Sequence, residues 1–98
     1  MRFKLGYTDS FRADAAQIVF NLREYPKKAR RILAKTKKAA SLLRLMPHMH
    51  PVCRHNPNYR MIVIEDYLAF YSVDEEKGLV EVRRLLYGKM NISERLNL

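Results

Sequence analysis

NYRMIVIEDYLAFYSVDEEKGLVEVRRLLYGK, residues 58–89, holds three apolar strand-like runs parted by two turn-like breaks. The first run, 59–64, is rich in β-branched and aromatic side chains. Glu65-Asp66 parts it from the second, 67–73, at the spacing of a two-residue hairpin. The second break, DEEKG at 74–78, suits a longer hairpin loop with Gly78 at a position needing positive φ. The third run, 79–86, then returns along the second, which makes a three-stranded meander. Such a sheet buries one face, and the other stays wet unless something covers it. Arg60 lies in the first run, Arg83 and Arg84 in the third, and Lys89 just past Gly88. Cations carried on strands are held rigidly, as a phosphate-handling site requires.

Ahead of the meander, Phe3, Leu5 and Tyr7 alternate with polar residues or glycine, so 1–7 reads as a half-buried strand joining the sheet. Thr8, Asp9 or Ser10 can cap a first helix whose apolar face is Phe11, Ala15, Ile18, Leu22 and Tyr25. Pro26, a favoured first-turn residue, opens a second helix over about 26–45, with Ala29, Ile32, Leu33, Thr36, Ala39, Ala40, Leu43 and Met46 on its buried side. Pro47 stops it. That helix carries Lys27, Lys28, Arg30, Arg31, Lys35, Lys37, Lys38 and Arg44 and no acidic residue. A run of mixed charge would be a solvated face. Uniform sign destabilises a helix by a few tenths of a kcal/mol per i,i+4 pair unless an anion meets it. Lys27, Lys28, Arg31, Lys35 and Lys38 are therefore candidates for holding RNA phosphate without orienting a reaction.

The loop at 47–57, PHMHPVCRHNP, gathers three prolines and all three histidines. Its spacing H-x-H-x2-C-x-H matches none of the usual zinc patterns, and no second element closes a tetrahedron, so neither a metal nor a cofactor is expected. The tail at 90–98 has Ile92 and Leu96 at helical spacing and reads either as a last helical turn on the sheet or as a segment free until a partner binds.

The 98 residues suffice for one small domain, 1–98, that buries roughly 60–65% of its unfolded surface. No window approaches the ~18–20 apolar residues of a membrane span, and the first residues hold no apolar signal core, so no membrane partner and no secretion are expected. A lone Cys53 fits a reducing cytoplasm. The net charge of +9 favours an anionic partner, whether nucleic acid, the ribosome, a membrane surface or an acidic protein, and charge alone does not choose among them.

The order strand, two helices, three strands resembles the RelE/ParE superfamily of type II toxin-antitoxin toxins. The likeness rests on the pair Tyr59-Arg60, the aromatic strand with Tyr67, Phe70 and Tyr71, and the ending Arg84, Tyr87, Gly88, Lys89. It implies an α+β fold, a small twisted antiparallel sheet in the order β-α-α-β-β-β packed against an N-terminal αα-hairpin. It also implies a cognate antitoxin that wraps the toxin with an acidic C-terminal segment. RelE-like members cut mRNA in the ribosome, whereas ParE-like members block DNA gyrase without cutting RNA. The preferred expectation is a ribosome-dependent, metal-independent mRNA endoribonuclease. A gyrase inhibitor or a basic RNA-binding module without catalysis are the alternatives. By that likeness Arg60 grips the scissile phosphate and Lys89 neutralises the transition state, while the chemistry of cleavage itself would use Tyr87 as acid or stacking platform and His55 as base. Arg54, Arg83 and Arg84 add phosphate contacts. Each has a plainer alternative: Tyr67, Phe70 and Tyr71 as core, Tyr87 as strand-end packing, and Arg84 pairing with Glu81 or Asp66. A single bulge in the last strand would exchange the faces of Arg83 and Arg84.

Overall fold

The computed structural model describes residues 2–96. The chain forms β1 (Lys4–Tyr7), α1 (Asp9–Asn21), α2 (Pro26–Leu42), β2 (Arg60–Ile64), β3 (Tyr67–Asp74), β4 (Leu79–Tyr87) and α3 (Ile92–Arg95). The strands make one sheet in the order β1-β4-β3-β2. The meander pairs antiparallel, as expected, but β1 lies parallel to β4, with Lys4 opposite Leu79 and Tyr7 opposite Val82. Period-two alternation signals a strand and carries no direction, so this pairing was not readable in advance.

The Thr8 hydroxyl caps α1 by accepting from the Phe11 N–H, while it donates at 2.9 Å to the Arg83 carbonyl. One side chain thus starts the helix and fastens it to β4. Pro26 stands in the first turn of α2. That helix ends at Leu42, a turn short of the expected 45. Met46, expected inside, is 59% exposed, because only a looser turn carries the chain from Leu42 to Pro47. Tyr25 is also exposed: α1 closes at Asn21, and Tyr25 flanks α2 instead of extending the apolar stripe of α1.

Both helices lie on one face of the sheet. Phe11 and Ile18 of α1 and Ile32, Ala40 and Leu43 of the α2 segment close on Ile62, Ile64, Tyr67, Ala69, Tyr71, Val80, Val82 and Leu85. Fully burying a side chain such as Ile32 or Leu43 contributes about 2–3 kcal/mol. The opposite face is covered too: Cys53, Tyr59, Phe70, Leu86, Ile92 and Leu96 form a second cluster under the 47–59 loop and α3. Of the tail, Ile92–Arg95 is therefore a helical turn packed on the sheet, and residues 97–98 lie outside the described residues. Asn56 Nδ2 donates to the Leu96 carbonyl and helps hold the turn there. The same loop guards the outer edge of β2, with Val52 bridging Arg60 and the Met61 N–H donating to the Pro51 carbonyl.

A bulge interrupts β4. Tyr71 faces Val82 and Phe70 faces Arg84, leaving Arg83 as the extra residue. Val80, Val82 and Leu85 consequently all reach the helical face, while Leu86 joins the other cluster.

Candidate functional site

Arg60 opens β2 and, by alternation with Ile62 and Ile64, points to the helical side. Its Nη1 donates to the backbone carbonyls of His50 at 2.7 Å and His48 at 3.3 Å. Beside it, the buried Tyr71 hydroxyl donates to the Pro47 carbonyl at 2.8 Å, and burial pushes that phenol above its usual pKa. Three carbonyls of the 47–50 turn are thus held from beneath, two of them by one guanidinium. His50 stands edge-on to the Tyr71 ring, and burial lowers its pKa. His48 Nε2 reaches Glu75 Oε1 at 2.6 Å and ties the turn to the β3–β4 loop.

Tyr87 and Lys89 sit at the other end of the sheet. Tyr87 faces Tyr67, with ring centroids 5.6 Å apart, and the Gly88 N–H donates to the Asp66 carbonyl at 2.9 Å. A Cβ on Gly88 would lie 3.2 Å from that carbonyl oxygen, a tight contact that glycine avoids. Arg60 faces Tyr71. Four residues along β3 and two strand spacings across therefore separate the Cα atoms of Arg60 and Tyr87 by about 16 Å. His55 and Arg54 are exposed on the loop between Cys53 and Tyr59, both of which belong to the cluster on the opposite face. Arg60, Tyr87, Lys89 and His55 are not brought to one point. Proton transfer needs partners within hydrogen-bond reach of a shared substrate atom, and this arrangement offers no such point.

The bulge sends the two arginines separate ways. Arg83 lies 5.7 Å over the Tyr59 ring, and its Nη1 is 3.5 Å from Glu81. Arg84 makes a two-point pair with Asp14 of α1, at 2.7 Å from Nε and 3.1 Å from Nη2. Neither expected partner, Glu81 or Asp66, is the one used. The same carboxylate accepts from the Leu85 N–H at 3.0 Å, and Arg84 Nη1 donates to the Arg95 carbonyl at 2.9 Å. Beyond Val82, where β1 stops, α1 therefore satisfies the edge of β4 through Thr8 and Asp14. An open cleft of about 570 Å³ lies there, with Asp14, Gln17, Arg84, Tyr87, Met90 and Arg95 in its walls.

Asp14 was missed in the sequence, although it leaves a mark there. It stands three residues after Phe11 and four before Ile18, a carboxylate on the buried stripe of an amphipathic helix. A charge so placed needs a partner from another element.

The cations of α2 divide into two sets. Arg31 donates to both oxygens of Glu65, at 2.7 and 2.9 Å, Lys35 lies 3.0 Å from the same group, and Lys28 is 3.5 Å from Asp66. Hydrogen bonds from Arg31, then Lys35, hold the Glu65 carboxyl down to about 2. Lys27, Arg30, Lys37 and Lys38 are exposed and make no ion pair among the described residues.

A β1-β4-β3-β2 sheet carrying an αα-hairpin on one face matches the fold of solved RelE/ParE toxins. The chain is similar to the chromosomal ParDE system of P. aeruginosa, with a TM-score of 0.72 at 16% identity over 88% of this chain and 96% of that one. It is also similar to the RelBE2 complex of Mycobacterium tuberculosis, with a TM-score of 0.63 at 20% identity over 89% and 99% of the two chains. The isolated E. coli RelE toxin gives 0.59 at 17% identity over 95% and 93%. No curated protein matches the chain. Residues 5–92 match the model of the family described as ParE toxin of the type II toxin-antitoxin system, parDE, and the chain belongs to that family.

Proposed function

We propose that this toxin acts by binding, as a non-enzymatic inhibitor of DNA gyrase, and that a cognate antitoxin with an acidic C-terminal segment holds it inactive. The observation that carries the reading is the placement of Arg60. Its guanidinium fastens the 47–50 turn by way of the His48 and His50 carbonyls, about 16 Å in Cα position from Tyr87. A ribosome-dependent nuclease needs a phosphate grip beside its acid and base. Here the grip, the acid and the base stand at separate places. Arg84, three residues before Tyr87, is occupied by Asp14. An inhibitor that binds needs shape and charge and no such convergence.

The test is a pair of assays on the purified chain. Gyrase acting on relaxed plasmid should lose supercoiling activity in proportion to added toxin. A translated message mapped by primer extension should stay intact. Codon-positioned cuts that vanish in Arg60→Ala would overturn the reading in favour of mRNA cleavage at the ribosome.

A further inference from the structure

Thr8 and Asp14 meet only part of the β4 edge that faces α1 past the end of β1. The Leu85 N–H donates to Asp14, while the Gly88 N–H donates across to the Asp66 carbonyl just ahead of β3. By the alternation of an antiparallel ladder, residues 85 and 87 therefore turn their N–H and C=O away from β3, into the cleft, and residues 86 and 88 turn theirs toward it. Two of the outward groups are already engaged: Asp14 accepts from the Leu85 N–H at 3.0 Å, and the Tyr87 carbonyl accepts from the Met90 N–H at 3.0 Å. The Leu85 carbonyl and the Tyr87 N–H are left, one acceptor beside one donor, with no protein partner among the described residues. Ile18, Tyr87 and Met90 give the cleft its apolar and aromatic wall, and the exposed Arg95 stands in it too.

We infer that this edge is a binding site for the adenine base of a free nucleoside or nucleotide. Adenine sets an amino donor beside a ring-nitrogen acceptor, the complement of the two open groups: its exocyclic amine donates to the Leu85 carbonyl and its ring nitrogen accepts from the Tyr87 N–H. The faces of the base meet Ile18, Met90 and Tyr87, since a heterocycle stacks on apolar and aromatic side chains alike. A volume of about 570 Å³ is ample for such a ligand. A peptide strand fits poorly. Pairing in an antiparallel ladder uses both the N–H and the C=O of one residue, and neither Leu85 nor Tyr87 has both to offer. Arg95 pairs with no carboxylate among the described residues and can meet a phosphate on the ligand. The site is distinct from Arg60 and from the cations of α2, and it is independent of which enzyme the toxin inhibits.

The test follows the backbone amides of the isotope-labelled full chain by NMR while adenosine and adenosine monophosphate are added in separate titrations. The Tyr87 amide should shift saturably, and the Leu85 amide, already held by Asp14, should shift less. Adenosine doubly methylated on its exocyclic amine has lost the donor and should bind about tenfold more weakly or worse. Gln17 is exposed in the wall of the cleft, so Gln17→Trp should fill the space and remove the Tyr87 shift, while Gln17→Ala keeps it. Thermal melts report whether both variants stay folded. Tighter binding of the monophosphate, lost in Arg95→Gln, would assign the nucleotide as the ligand, and equal binding would assign the nucleoside; either supports the site. A Tyr87 amide that stays in place at millimolar adenosine would overturn the inference. So would equal binding of the methylated nucleoside, a Gln17→Trp chain that binds like the parent, or shifts confined to the lysines and arginines of α2.

Discussion

Asp14 accepts three hydrogen bonds from β4, two from the Arg84 guanidinium and one from the Leu85 N–H. The side chains of the pair are only 14% and 13% exposed. The Asp14 hydrogen bond raises the Arg84 pKa further, so the guanidinium stays charged throughout the working range. Removing one partner of such a pair leaves the other ionised and poorly solvated. Asp14→Asn should therefore destabilise the chain by about 3 kcal/mol, read as a lower midpoint in urea unfolding. Arg84 also holds the Arg95 carbonyl, so α3 should exchange its amide hydrogens faster in that variant. A charged pair formed across the whole chain has no local signature. That is why sequence reading offers Arg84 a phosphate, or Glu81 or Asp66 as the plainer partner, and why only the odd placement of Asp14 on an apolar stripe hints otherwise.

At the level of elements, the turn joining β2 to β3 is the clearest case of two requirements meeting in one residue. Glu65 adopts φ of 56°, a left-handed conformation that a residue with a Cβ reaches at a penalty of about 1–3 kcal/mol. Its carboxylate is also the anchor for Arg31 and Lys35 of α2. Folding lowers that carboxyl from 4.5 to about 2. A carboxyl depressed by folding adds stability at pH above its unfolded value, and the contribution fades as pH falls from about 4.5 toward 2. The melting temperature of the parent should therefore drop across this window more steeply than that of Glu65→Gln, and 1 M salt should narrow the difference. The strands and both long helices were legible because alternation and i,i+3/i+4 spacing are local. Two limits were not. The end of α2 at Leu42 is set by how the chain must turn to bring Pro47 over Tyr71, and the bulge at Arg83 is set by the register between β3 and β4.

Across the whole molecule the charge is lopsided. Lys28, Arg31 and Lys35 turn toward Glu65 and Asp66, whereas Lys27, Arg30, Lys37 and Lys38 face solvent. Each solvent-facing cation that meets a phosphate releases a counterion. Replacing Lys27 and Arg30 by glutamine should lower the salt slope of any non-specific binding to a single-stranded polynucleotide by about 0.7 per residue, measured by filter binding across a salt series. The same change at Lys28 and Arg31 should lower it less. The basic helix was plain in the sequence, but its division was hidden, because the acids that pair with three of its cations belong to a hairpin thirty-odd residues further on. The candidate site was less legible still: residue types suited to phosphate chemistry were all present, and only the sheet register reveals that they stand apart. The parallel partnership of β1 with β4 bears on how the toxin comes into being. Among the described residues Lys4–Tyr7 pair only with the segment beginning at Leu79, about seventy-five residues further along the chain, so this strand waits for β4 to be placed before it has a neighbour. Contacts so distant form late and slowly. The sheet is consequently completed only once the β2–β3–β4 meander has formed to receive β1.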